Sequence, residues 1–180
     1  AALRRFMKQR QDAVLLAAWH NPWPQSMESM KNSWLIDTAD KFKGLPIDRV
    51  IEIPPMINKL MPGIYAQAHV GLFPNRCEAG TNMVMCEFMA CARPVIATDK
   101  TGHSDVFTGC SDSGPYLLST GSYDHAGWFN CEVSDIISHL EHAYNNRGEL
   151  PWRGLECRRL VERFSWRDAA MRIVEAAFAK

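Results

Sequence analysis

The stretch from residue 69 to residue 98 most constrains what this chain can fold into. Residues 69–73 form a short apolar run, and 74–82 a loop containing Pro74, Asn75 and Gly80. Residues 83–92 are apolar over a helical length except for Glu87, and 94–98 are a second short apolar run. Short runs bounded by Pro and Gly read as buried strands, and the longer one as a helix. The order is strand, tight loop, helix, strand. The same alternation extends along the chain. Strands are predicted over 14–19, 49–53, 69–73, 94–98 and 116–119. Helices are predicted over 3–11, 59–68 (with Pro62 in the first turn), 81–92, 133–146 (closed by Gly148) and 151–164. A last helix begins at Ser165, with Asp168 completing a capping box. Residues 25–43 read as a short helix and a surface excursion, 101–108 as a turn leading into a short helix, and 120–130 as a loop. Strands alternating with helices predict an α/β fold: a Rossmann-like parallel sheet with helices on both faces.

Two carboxylates stand out in the central stretch. Glu78 lies in the loop. Glu87 lies in a helix whose other members are Met83, Val84, Met85, Cys86, Phe88, Met89, Ala90 and Cys91. A helix apolar on every side is expected to be buried. An ionised carboxylate there is costly unless something hydrogen-bonds it. No Lys, Arg or His lies one turn away, so the partner must come from elsewhere, and a ligand hydroxyl is one candidate. Thr81 is the expected N-cap, and Gly80 before it lets a ligand approach the backbone. The amides of Asn82, Met83 and Val84 then point out of the positive end of the helix, an arrangement suited to phosphate. In open parallel sheets, ligands bind at the carboxyl ends of strands. Phosphate-binding amides and two carboxylates on one rim suit a ligand carrying both phosphates and hydroxyls, such as a nucleotide-sugar. The alternative is that Thr81 only caps, Glu78 is a solvated loop residue and Glu87 pairs with a distant Arg.

These residues resemble the carboxy-terminal, donor-binding domain of GT-B glycosyltransferases of family 4. That family has a strand ending in Pro-Ser or Pro-Asn. A Glu, a Gly-containing loop, a second Glu on a helix and Ala-Met-Ala-Cys-Gly-x-Pro-Val-Ile-Ala follow. Here stand Phe73-Pro74-Asn75, Glu78, Gly80, Glu87 and Phe88-Met89-Ala90-Cys91-Ala92-Arg93-Pro94-Val95-Ile96-Ala97. Thr101-Gly102-His103-Ser104-Asp105-Val106 is similar to the Gly-Gly-x-x-Glu turn that follows, and Phe164-Ser165-Trp166 to the Phe-Ser-Trp before the final helix. The match runs from about residue 50 to the end. The loop departs from the pattern, with one extra residue between the glutamates and Ala79-Gly80-Thr81-Asn82 in place of Gly-Phe-Gly. Ala92 replaces the usual helix-ending Gly.

The resemblance implies roles. Glu78 would face the transferred sugar as the catalytic-centre carboxylate, and Glu87 would bind the ribose. The backbone of Gly80, Thr81, Asn82, Met83 and Val84 would face the diphosphate. Arg76 neighbours that loop and could reach a diphosphate or remain a surface Arg. Pro54 follows the second strand, where the family places the base, and His103 belongs to the donor-site turn. The donor would be a nucleoside-diphosphate sugar, with the anomeric configuration retained and no metal or other cofactor. The family's early Arg and Lys have no counterpart before Leu3. Residues 1–180 are therefore expected to be one Rossmann-like domain (1–164 core, 165–180 terminal helix) cut from a longer protein. Its partner would be an amino-terminal acceptor domain of the same chain.

Composition narrows the classes. With 47% hydrophobic residues, 22% charged and zero net charge, the chain is an ordinary globular protein with nothing to attract nucleic acid. No apolar run reaches transmembrane length. The six cysteines form neither Cys-x-x-Cys nor zinc spacing; several sit in apolar strings and read as small hydrophobes of a reducing compartment, while Cys77, between Arg76 and Glu78, reads as loop filler. A cytoplasmic location is expected, with any attachment to a membrane made peripherally through the missing half. His20 lies on the expected ligand rim but, between Trp19 and Asn21, reads as structural. His139 and His142 stand one turn apart without a supporting carboxylate or Cys, and read as a solvated face. The rival class is a non-catalytic nucleotide-binding or interaction module of GT-B type. A Rossmann dehydrogenase is a poor third reading, since no Gly-x-Gly-x-x-Gly follows any strand and no acidic residue stands at the right distance.

Overall fold

The computed structural model describes residues 1–18, 44–110, 113–124 and 127–178. These form two compact units, Ala1–Met61 and Pro62–Lys180. His20 and the ambiguous 25–43 segment lie outside the described residues.

In the first unit, helix α1 (Ala2–Gln9) buries Ala2, Phe6 and Met7 on one face. The guanidinium of Arg49 closes its carboxyl end, donating to the carbonyls of Met7 at 2.9 Å, Arg10 at 2.8 Å and Ala13 at 3.3 Å. A cation there satisfies orphan carbonyls and complements the helix dipole. Strands β1 (Leu15–Ala17) and β2 (Val50–Glu52) pair in parallel, Leu15 opposite Val50. Pro54 follows β2 and is exposed.

Helix α2 (Met61–Tyr65), all but its first residue in the second unit, is shorter than the 59–68 expectation. Pro62 and Gly63 are both poor interior helix formers, and the chain leaves the helix through turns at Gln67 and Ala68. Strands β3 (Gly71–Phe73), β4 (Val95–Thr98) and β5 (Tyr116–Leu118) form a parallel sheet in that order. Central β4 is fully covered, which is why Val95-Ile96-Ala97 reads as a continuous apolar run rather than an alternating one.

Helix α3 (Met83–Ala90) joins β3 to β4. It is not buried all round, contrary to expectation: Met85, Phe88 and Met89 are buried, whereas Met83 and Val84 are exposed. The apolar side chains at its start therefore line an accessible end. Two further helices, α4 (Ser104–Phe107) and α5 (Val133–Asn145), flank the sheet connections. α5 buries Ile136, Leu140 and Ala143, and it ends at Asn146 rather than at Gly148, which sits in the next turn.

Helix α6 (Leu150–Glu162) crosses the end of α3 very closely. A Cβ on Gly154 would lie 2.0 Å from the Ala92 carbonyl oxygen. Ala92 itself adopts φ 54°, the left-handed conformation that closes many helices and that glycine takes without strain. Ala92→Gly is therefore expected to stabilise the fold by about 0.5–1 kcal/mol, measured as a rise in denaturation midpoint at unchanged m-value.

Residues 120–130, expected as a loop, contain an antiparallel hairpin of β6 (Thr120–Tyr123) and β7 (Phe129–Cys131). It is held by a pair of aromatic rings, Tyr123 on Phe129 at 4.1 Å, and by Asp124, whose Oδ1 accepts from the Trp128 amide at 3.0 Å. The final helix, α7 (Trp166–Phe178), carries half of the expected capping box: Ser165 caps it, but the Asp168 carboxylate meets the Ser165 hydroxyl rather than its backbone amide. The Asp168 amide donates to Ser165 Oγ at 3.0 Å and Ser165 Oγ to Asp168 Oδ2 at 2.7 Å.

All six cysteines are free. Burial pushes the Cys157 thiol up to about 12, so it stays protonated as a small apolar group. Among the described residues no helix is long and apolar enough to cross a membrane, and no cluster of His, Cys, Asp and Glu could hold a metal.

Candidate functional site

The loops that leave β3 and β4 at their carboxyl ends lie directly against one another. Gly102 marks the contact: a Cβ there would fall 1.6 Å from the Gly80 carbonyl oxygen. The Gly102 amide donates to the Glu78 carbonyl at 3.0 Å, and the Glu78 amide donates to Thr101 Oγ1 at 2.9 Å. Thr101 pays for this with φ 55°. Thr98 at the end of β4 adds a third tie, its hydroxyl donating to the Asn75 carbonyl at 2.8 Å.

Within this double loop Asn82 organises the polar groups. It, rather than Thr81, is the N-cap of α3; Thr81 is exposed. Its Oδ1 accepts from the Met85 amide at 3.1 Å. That fixes which end of the side-chain amide is oxygen, so Nδ2 faces the other way. Nδ2 lies 3.3 Å from Glu78 Oε2 and 3.2 Å from His103 Nε2. Asn75 Nδ2 donates to the same Glu78 oxygen at 3.0 Å. Glu78 is thus a half-buried carboxylate held by two asparagines, not a solvated loop side chain. Gly80 is exposed and a Cβ on it would meet nothing within 4 Å, so the fold itself leaves open the space above it. Asn82 takes up the Met85 amide, so those of Met83 and Val84 are the first-turn donors that remain at the helix end.

Glu87 finds a partner within the protein. Tyr65 at the end of α2 donates its hydroxyl to Glu87 Oε2 at 3.0 Å. The Tyr65 ring packs edge-on against Phe88 at 5.6 Å. Burial first, and then this hydrogen bond, hold the Tyr65 hydroxyl well above its ordinary range, so it remains a donor. Arg76 turns toward the hairpin. It pairs with Asp124 and lies over the Trp128 ring at 5.6 Å from its centroid. A diphosphate would have to draw it from that pair. Pro54 belongs to the first unit. His139 reaches Asp135 at 3.6 Å and His142 reaches Glu149 at 3.5 Å, and both rings pack against Tyr116, so each has a carboxylate and the pair is not the solvated face expected.

The structure therefore gathers Glu78, Gly80, Asn82, Met83, Val84 and His103 from the sequence-derived set into the two β-strand exits, with Glu87 on the same helix. It adds Asn75, Thr98 and Tyr65. Asn75 and Thr98 carried a weak signal, as polar residues at strand ends. Tyr65 carried none, because its partner lies 22 residues away on another element.

A protein-family model for glycosyl transferases group 1 matches residues 7–126, two thirds of the chain and all of this double loop. The chain belongs to the group 1 glycosyltransferases. No curated protein sequence matches it significantly. Solved structures share the fold at low identity. Sucrose-phosphate synthase from Thermosynechococcus elongatus superposes with a TM-score of 0.68 at 16% identity, over 98% of this chain and 41% of that one. The carboxy-terminal domain of a glycosyl transferase group 1 family protein (LpcC) from Francisella tularensis gives 0.63 at 18%, over 91% and 75%. The trehalose-6-phosphate synthase OtsA gives 0.59 at 17%, over 90% and 36%. This group 1 chain thus has the GT-B glycosyltransferase architecture. It spans about two fifths of the first of these relatives.

Proposed function

We propose that this chain is the donor-binding domain of a retaining glycosyltransferase that moves a sugar from a nucleoside-diphosphate sugar to an acceptor bound by a second, amino-terminal domain. The observation that carries the reading is the Glu78 carboxylate, held by Asn75 and Asn82 beside the open amino end of α3. The amides of Met83 and Val84 meet the diphosphate, where helix-end donors stabilise the charge that builds on the leaving group. Glu78 meets the hydroxyls of the transferred sugar and orients it. Glu87, steadied by Tyr65, takes the ribose hydroxyls. Arg76 can swing from Asp124 to the phosphates. Because helix amides hold the diphosphate, no divalent ion is needed.

The reading is tested with radiolabelled UDP-, GDP- and ADP-sugars, with and without EDTA, on this chain and on a longer protein carrying the acceptor domain. One sugar nucleotide is expected to bind both, unaffected by EDTA, and to turn over only in the longer protein. Binding without turnover in either would favour the non-catalytic module. Strict metal dependence, or no binding by either, would refute the proposal. A variant separates the role of Glu87. Glu87→Gln is expected to weaken donor binding by about tenfold, the value of one charge-assisted hydrogen bond, while the thermal midpoint holds or rises. Unchanged donor affinity in that variant would make Glu87 structural.

A further inference from the structure

The geometry points to His103 as a positioning residue: a neutral imidazole that acts through Asn82 to hold the Glu78 carboxylate in place for the donor. The inference rests on the donor-site reading above and adds the residue that aligns it. His103 is fully buried just beyond β4 and touches none of the solvent-facing surface where a donor would lie. Its Nδ1 lies 3.0 Å from the Thr98 carbonyl, which can only accept, so Nδ1 carries the proton. Nε2 is then bare and accepts from Asn82 Nδ2 at 3.2 Å. The two Nδ2 hydrogens go one to His103 and one to Glu78, while Oδ1 caps the Met85 amide. Each polar atom of the Asn82 side chain thus has a partner, and its orientation is fixed from three sides. Without the bare Nε2, nothing on the β4 side holds Nδ2 toward Glu78.

The surroundings favour the neutral ring. Burial lowers the His103 pKa from its ordinary value of 6.5, against the opposing effects of the Thr98 hydrogen bond and of Glu78. Glu78 is the ionisable group that faces the ring from the β3 loop. On its own segment Asp99 and Lys100 pair with each other at 3.2 Å, and Asp105 is exposed. Arg163 of α6's carboxyl end is bound to the carbonyls of Asp105, Val106 and Thr108. Phe107 packs edge-on against the ring at 6.3 Å. A proton added at Nε2 would set donor against donor at Asn82, so the alignment is present near neutral pH and lost as pH falls through the lowered pKa.

The test has an arm that needs no donor. In 13C,15N-labelled protein, His103 is expected to show the Nδ1–H tautomer at neutral pH, with a coupling across the Asn82 Nδ2–H···Nε2 bond. The Asn82 side-chain and Glu78 carboxyl signals are expected to follow the His103 titration. The Glu78 signal should move in His103→Leu and return in His103→Gln, whose amide oxygen can accept from Asn82. In the second arm, in the longer protein that carries the acceptor domain and with the sugar nucleotide the wild type binds, His103→Leu is expected to lose about tenfold in kcat/KM, one hydrogen bond's worth, and His103→Gln to regain most of it. The acid limb of the pH profile should disappear in His103→Gln. An Nε2–H tautomer, or Asn82 and Glu78 signals indifferent to His103 titration, overturns the inference even if His103→Leu does not fold. Absence of any nucleotide binding by the wild type would count against the donor-site reading instead, leaving the first arm to judge His103.

Discussion

Gly102→Ala is expected to unfold the double loop, costing about 3 kcal/mol of stability and removing detectable donor binding. The new methyl group would meet the Gly80 carbonyl oxygen at 1.6 Å and its carbon at 2.6 Å, with the Glu78 carbonyl oxygen at 3.0 Å. All three are backbone atoms, so no side-chain rotation can relieve the clash. One loop must move away from the other, and the bonds between Gly102 and Glu78 and between Glu78 and Thr101 go with it. For a chain of 180 residues such a loss lowers the melting temperature by about 6–12 °C. Gly80→Ala is the matched control. Its Cβ meets nothing within 4 Å, so stability is expected to change by less than about 1 kcal/mol while donor affinity falls, because the methyl group occupies ligand space rather than protein space. Thermal melts and binding isotherms of the two variants, side by side, distinguish the effects. Equal stability of the two would show that the β3 and β4 loops are not in contact.

Asn82→Leu is the second large effect. It removes the N-cap of α3, worth about 1 kcal/mol, and leaves the buried Nε2 of His103 without a partner, worth about 1–3 kcal/mol more. Because one side chain serves both, a total of about 2–4 kcal/mol is expected from chemical denaturation, with loss of donor binding as Glu78 is released. Asn82→Asp separates the roles. Aspartate caps as well as asparagine, so the helix contribution survives, but it has no N–H for His103 or Glu78 and sets a second carboxylate beside the first. This variant is expected to be more stable than Asn82→Leu and equally poor at binding donor. Donor affinity at the wild-type level in either variant would remove Asn82 from the account.

The parts of the site visible in the sequence are those with a local signature. The apolar runs at 69–73 and 94–98, the helix between them and the loop glutamate follow from periodicity and spacing. The strand exits they place are where Glu78 and Gly80 lie. The sequence pattern places the N-cap one residue early because Thr81 and Asn82 are both good caps. Asn82 takes the position, and with it the contacts to Glu78 and His103, which lie on different elements. Glu87 was legible as an anomaly but its partner was not, since Tyr65 reaches it across the fold. The hairpin at 120–130 was hidden by Gly121 and Gly127 and by a short, bulged ladder. Its stability comes from the Tyr123–Phe129 pair and the Asp124 turn, which only the paired strands bring together.

The proposed seat of the nucleoside-diphosphate sugar is the pair of loops at the exits of β3 and β4. The most direct measurement is an amide NMR titration of this chain with UDP-, GDP- and ADP-sugars. Saturable shifts are expected to centre on Glu78, Gly80, Met83, Val84 and Gly102, with Met83 and Val84 moving most because their amides meet the phosphates. Saturable shifts centred elsewhere, with these five amides unmoved, would contradict the account.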